Sequence, residues 1–99
     1  MPLFALFCVD KPNSLDLRMA TREAHLAYVR GFASQLRLAG PMLDEAGEMA
    51  GSIILMEADD IAAARAFSAD DPYTKAGLFA RVDITAFKPT LGKLGGAGT

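Results

Sequence analysis

The sequence predicts an α+β domain of the ferredoxin-like kind, ordered strand, helix, strand, strand, helix, strand (βαββαβ). Its expected core is a four-stranded antiparallel sheet with two helices on one face. Three observations carry this. Residues 3–9 and 52–56 are apolar on both alternations, as central strands require. Helix-forming stretches follow each of the outer turn clusters. A chain of 99 residues, 52% apolar and 22% charged, admits one globular domain and no second one.

Each element has a local reason. Residues 3–9 run continuously through Phe, Leu and Val and close on Asp10-Lys11-Pro12-Asn13-Ser14, a cluster of turn formers, so the first strand is expected there. From Ser14 to about Leu38 there is no proline, and the Ser14 hydroxyl can cap a helix by accepting a backbone N–H of its first turn. Arg18, Arg22, His25, Val29, Phe32 and Leu36 recur at spacings of three and four and so share one helical face. The one histidine therefore lies on the line that leads into the core. Ala39-Gly40-Pro41 is expected to stop the helix, and Met42-Leu43 to start a short extended segment. Residues 44–50, acidic and containing Gly47, read as a hairpin loop before a strand over 51–58. Asp59 or Asp60 caps an Ala-rich helix over 61 to about 68, which Asp70-Asp71-Pro72-Tyr73 breaks. After a turn through Lys75-Ala76-Gly77, the last strand spans 79–87, with Arg81, Asp83 and Thr85 alternating with Ala80, Val82, Ile84 and Ala86. Residues 91–99 read as a flexible Gly-rich tail beyond a domain of residues 1–90. Its glycines follow no strand and open no helix, so they are not a dinucleotide fingerprint.

Composition narrows the function classes. Ten Lys and Arg against twelve Asp and Glu give a net charge of -2 without a basic block, which argues against nucleic acid as a partner. No apolar run approaches the roughly 20 residues of a membrane span, and the start lacks the basic region of a signal peptide. A cytoplasmic protein without membrane association is expected. One Cys, Cys8, cannot form an internal disulfide, and with one His it is too little for a zinc site, so neither metal nor cofactor is expected. The apolar content is high for so short a chain. Two helices cover one sheet face only, while both central strands are apolar on the other face as well. The simplest cover is the same face of a second copy, which predicts a homodimer packed sheet to sheet.

Topology brings the end of the first strand, the beginnings of the third and fourth strands and the first half of helix one to one sheet edge. His25 and Arg22, Ser52 beside Gly51, and Asp71-Pro72-Tyr73 can therefore converge. His25 is the natural general base or acid. Asp71 could hold one ring nitrogen and stabilise the imidazolium formed on proton uptake. Arg22 could bind a carboxylate or enolate oxygen, and Ser52 or Tyr73 could add a neutral donor. Such a set fits proton transfer at a carbon next to a carbonyl or phenol. Plainer roles account for the same residues: an interior histidine, an Asp-Pro helix start, a solvated Arg18-Arg22 helix end, a strand-initiating Ser52 and a packed Tyr73.

The ordered set of Asp10-Lys11, Ser14-Leu15, Arg18, Arg22, Ala24-His25-Leu26, Ala39-Gly40-Pro41-Met42, Gly51-Ser52, Glu57-Ala58, Asp71-Pro72-Tyr73, Ala76-Gly77, Val82 and Phe87-Lys88 resembles the YciI-like (YCII-related) proteins. The resemblance covers about residues 1–90. It implies a dimeric α/β barrel built on the ferredoxin-like fold, related to muconolactone isomerases. It also implies a His-Asp active-site pair, which falls on His25 and Asp71. One branch of that family includes a dehydrochlorinase of a chlorinated hydroxyhydroquinone. Two functions are thus expected as alternatives. One is a cofactor-free lyase or isomerase acting on a small cyclic or phenolic substrate. The other is a non-catalytic small-molecule-binding or accessory dimeric module.

Overall fold

The computed structural model describes residues 1–92. Its elements are β1 (Leu3–Asp10), α1 (Leu15–Arg30), β2 (Leu36–Leu43), β3 (Met49–Glu57), α2 (Ile61–Asp70), the single turn α3 (Pro72–Lys75) and β4 (Phe79–Ala86). They form one four-stranded sheet in the order β2-β3-β1-β4, every neighbouring pair antiparallel. This is the ferredoxin-like arrangement, with β1 and β3 central. The Gly-rich tail expected over 91–99 falls, from residue 93 onward, outside the described residues. No helix among the described residues is long and apolar enough to cross a membrane.

Alternation decides the two sheet faces. Phe4, Leu6 and Cys8 of β1 with Ile54 and Met56 of β3 form one buried cluster with Val29 of α1 and Ala64 and Phe67 of α2. Both long helices thus cover the same face. On the other face Phe7 lies opposite Ile53 and Asp83, and Ala5 lies opposite Leu55 and Thr85. Phe7 and Ile53 each remain 38% exposed, so in the single chain the central strands are buried on one face and partly open on the other.

The largest departure from the sequence reading lies between Gly31 and Leu43. The first helix ends at Arg30, well before Leu38. From Gly31 the chain tightens through turns in which Gly31 N–H donates to Tyr28 and Phe32 N–H to Val29. Leu36 then pairs with Met56, and Glu57 N–H donates to the Gln35 carbonyl at 2.8 Å. Pairing with a completed β3 overrides helical periodicity here, because it satisfies backbone groups that a longer helix would leave exposed. Ala39-Gly40-Pro41 is accordingly inside β2 rather than a helix stop. Pro41 is tolerated because β2 is an edge strand, where a missing N–H breaks no ladder on its outer side.

The other shifts are local. Ser14 caps nothing with its side chain; its hydroxyl donates instead to the Pro12 carbonyl at 3.3 Å. Asp60 is the cap of α2, accepting from Ala63 N–H at 2.9 Å. The hairpin loop is shorter than expected. Asp44 Oδ1 accepts from Ala46 and Glu48 N–H at 2.9 Å each, Gly47 takes the left-handed φ of 83°, and β3 already starts at Met49.

Candidate active site

α1 carries His25 across the sheet face, and the α2–α3 junction brings Asp71 to meet it. Asp71 has extended dihedrals and accepts the Tyr73 N–H on Oδ1 at 2.9 Å, while Pro72 fills the first helical position, where no N–H is needed. The same Oδ1 lies 2.9 Å from His25 Nδ1. Since a carboxylate only accepts, Nδ1 carries the hydrogen, and in the neutral imidazole the lone pair is then on Nε2. Asp71 is 2% exposed and therefore held away from competing water. Capping and pairing with His25 coexist in one side chain.

Tyr73 backs the imidazole. The two rings stack at 4.0 Å between centroids and 17° between planes, and Phe79 meets Tyr73 edge-on at 5.9 Å. Burial pushes the Tyr73 hydroxyl above its ordinary range, an effect opposed by the Arg18 and Arg22 charges. The phenol is thus kept neutral and able to donate.

Arg18 is the residue whose role the sequence left open and the structure decides. It is no solvated helix end: it is 2% exposed. Its Nε donates to Asp10 Oδ2 at 2.7 Å, and its Nη2 to Asp10 Oδ1 at 3.0 Å and to Ser52 Oγ at 2.9 Å. The guanidinium carbon lies 4.5 Å from the Tyr73 ring centroid. A signal existed, since Arg18 shares the helical line of His25 and Val29, and Val29 is buried in the core. Arg22, one turn along, is exposed and has no ion-pair partner among the described residues.

Arg22, His25, Ser52 and Tyr73 line one cavity of about 80 Å³ over an apolar floor of Val29 and Ile54. That is less than the roughly 150 Å³ of a cavity that holds benzene, so a ring-sized ligand needs the rim to open. The expected residues are therefore brought together, with Asp71 directly behind His25. A larger groove of about 430 Å³ lies by the β1–α1 loop and the β2–β3 hairpin, lined by Asp10, Asp16, Asp44 and Glu48 among others. It offers no base paired with a buried carboxylate. Cys8 is buried in the core, and burial, reinforced by the charge of Asp71, pushes its thiol up to about 12. It is no nucleophile at neutral pH.

Comparison with known proteins agrees with this architecture. A family model described as the YCII-related domain matches residues 2–88. A protein of Haemophilus influenzae is 37% identical, covering 86% of this chain and 95% of its own. Protein YciI of Escherichia coli is 35% identical over 87% of this chain and 96% of its own. Among solved structures, the 5-chloro-2-hydroxyhydroquinone dehydrochlorinase TftG of Burkholderia phenoliruptrix, in complex with 2,5-dihydroxybenzoquinone, superposes with a TM-score of 0.81. It is 35% identical, covering 87% of this chain and 93% of that one.

Proposed function

We propose, from the premise that this chain belongs to the YCII-related family, that it is a cofactor-free lyase or isomerase moving a proton on a small cyclic or phenolic substrate. The observation that carries the reading is the 2.9 Å contact of His25 Nδ1 with the buried Asp71 carboxylate at the wall of a cavity that also presents Arg22 and Ser52. His25 Nε2 removes a proton from the substrate as general base, and Asp71 stabilises the imidazolium. Arg22 and Ser52 hold the oxygen that gains charge, and Tyr73 holds the imidazole plane and adds a neutral donor. The electron pair left behind expels a leaving group from a ring carbon in a lyase. In an isomerase it takes the proton back at another carbon. The dehydrochlorinase at 35% identity supports the first outcome.

The working unit of this proposal is a cytoplasmic homodimer, a second copy covering the face of Phe7 and Ile53. The same cleft would serve as a binding module without chemistry if Asp71 were only the cap of α3, a role its bond to Tyr73 N–H supports. Assay of chlorinated hydroxyhydroquinones and related phenols, by chloride release and quinone absorbance, separates the two. Turnover is expected, and His25→Ala should lower it by about 10²–10⁴-fold. Turnover unchanged in His25→Ala removes the enzyme reading.

A further inference from the structure

The geometry points to Arg18 as a positioning residue that makes Ser52 an obligate hydrogen-bond donor for a carbonyl or phenolate oxygen in the cleft. This deepens the proposed function and rests on its placement of a ligand beside His25. A guanidinium has hydrogens to give and no lone pair to offer. In the 2.9 Å contact of Nη2 with Ser52 Oγ, the serine oxygen must therefore accept. Its own hydrogen is left to rotate about the Cβ–Oγ bond, and among the described residues it has no acceptor. Ser52 is 4% exposed and borders the cavity, so a ligand oxygen there is the partner within reach.

Arg18 has little freedom to do otherwise. Its bidentate grip on Asp10 fixes the guanidinium plane, and the two side chains are 3% and 5% exposed. Arg18 also borders the cavity, but Asp10 balances its charge and takes up its Nε and one contact of Nη2, so its part is to hold Ser52 rather than to anchor an anion itself. Ser52 is fixed in turn by the register Cys8↔Ser52 and Val9↔Gly51. Any Cβ at Gly51 would lie 2.5 Å from the Cys8 carbonyl oxygen, so glycine is what lets β3 approach β1 this closely. Accepting a charged hydrogen bond polarises the Ser52 O–H and strengthens what it donates. The same guanidinium lies over the Tyr73 ring that stacks on His25, so one buried cation braces both the donor and the base.

The test uses the full chain, with 4-nitrophenolate as probe, whose visible band moves to shorter wavelength when its oxygen accepts a hydrogen bond. Wild type should bind with that shift. Ser52→Ala should lose the shift and weaken binding roughly tenfold, the worth of one hydrogen bond. Arg18→Lys, checked for folding by circular dichroism, should reproduce most of that loss in wild type and add nothing in the Ser52→Ala background. An unchanged shift in folded Arg18→Lys, or equal losses in both backgrounds, overturns the assignment. A neutron structure of the perdeuterated wild type reads the donor without any variant: the Oγ deuteron should point into the cavity, and one aimed at a protein acceptor refutes the proposal. If wild type ignores the probe while that deuteron faces the cavity, the ligand reading of the cleft fails and the donor assignment stands.

Discussion

Asp71 performs two tasks through one oxygen, and a single substitution can separate them. Asn retains an Oδ1 that accepts from Tyr73 N–H, whereas Ala retains nothing. Asp71→Asn should therefore leave the melting temperature near wild type while lowering turnover about 10²–10⁴-fold, because the imidazolium loses its counter-charge. Asp71→Ala should also cost about 1 kcal/mol as a lost cap, read by urea denaturation. Equal stability of the two variants would show that the cap contributes nothing. Cys8 makes a second residue-scale prediction. Its ordinary thiol value of 9.0 applies to the unfolded chain, and burial raises it to about 12 in the fold. A raised acid in the folded state keeps its full stability contribution below pH 9 and loses it as pH climbs toward 12, since only the unfolded chain ionises in that window. Tyr28 and Tyr73 are raised in the same direction, chiefly by burial. Stability to urea should thus fall from pH 8 to pH 10.5, and Cys8 should resist alkylation at pH 8 until the chain unfolds.

At the scale of elements, apolar runs fixed the strands that matter most, and periodicity located the side of α1 that faces inward. Residues 3–9 and 52–56 occur as expected because their alternation on the helix side leaves no other place for Phe4, Leu6, Ile54 and Met56. Periodicity did not locate the end of α1. Phe32 and Leu36 satisfy both a helical face and a path into the edge strand, and only pairing with β3 discriminates between the two. The close contact of β1 with β3 gives a prediction for this level. Gly51→Ala would set a methyl 2.5 Å from the Cys8 carbonyl and from the Met42 methyl. The methionine can move aside, but the paired backbone cannot. The substitution should destabilise the fold by about 1–3 kcal/mol in thermal or urea unfolding and shift Ser52 in the cleft. Wild-type stability in Gly51→Ala would mean that the two strands separate freely.

For the whole molecule, the apolar surplus is distributed unevenly. The helix side of the sheet is closed, with Leu6 at 0% and Met56 at 1% exposure, whereas Phe7 and Ile53 across the sheet remain at 38%. Such a face, rimmed by Arg81, Asp83 and Thr85, fits a two-fold partner of the same chain. Sedimentation equilibrium at micromolar concentration should give twice the 10.5 kDa of one chain. Phe7→Glu with Ile53→Glu should lower it to the monomer mass without loss of the helical spectrum. A wild-type mass of 10.5 kDa would discard the homodimer.

The sequence by itself determined the order of elements, the two central strands, the ferredoxin-like topology and the small set of residues able to meet at one sheet edge. Those follow from local patterns: alternation, helical spacing, turn formers and charge. The tertiary structure decided where α1 yields to β2, that Arg18 is buried on Asp10 rather than solvated, and that Asp71 both caps α3 and holds His25. Each of these depends on a partner far along the chain, Met56 for Leu36, Ser52 for Arg18 and His25 for Asp71. Local patterns can nominate such residues, as helical spacing does for Arg18 and the Asp-Pro pair does for Asp71, but only the folded chain selects which distant partners meet.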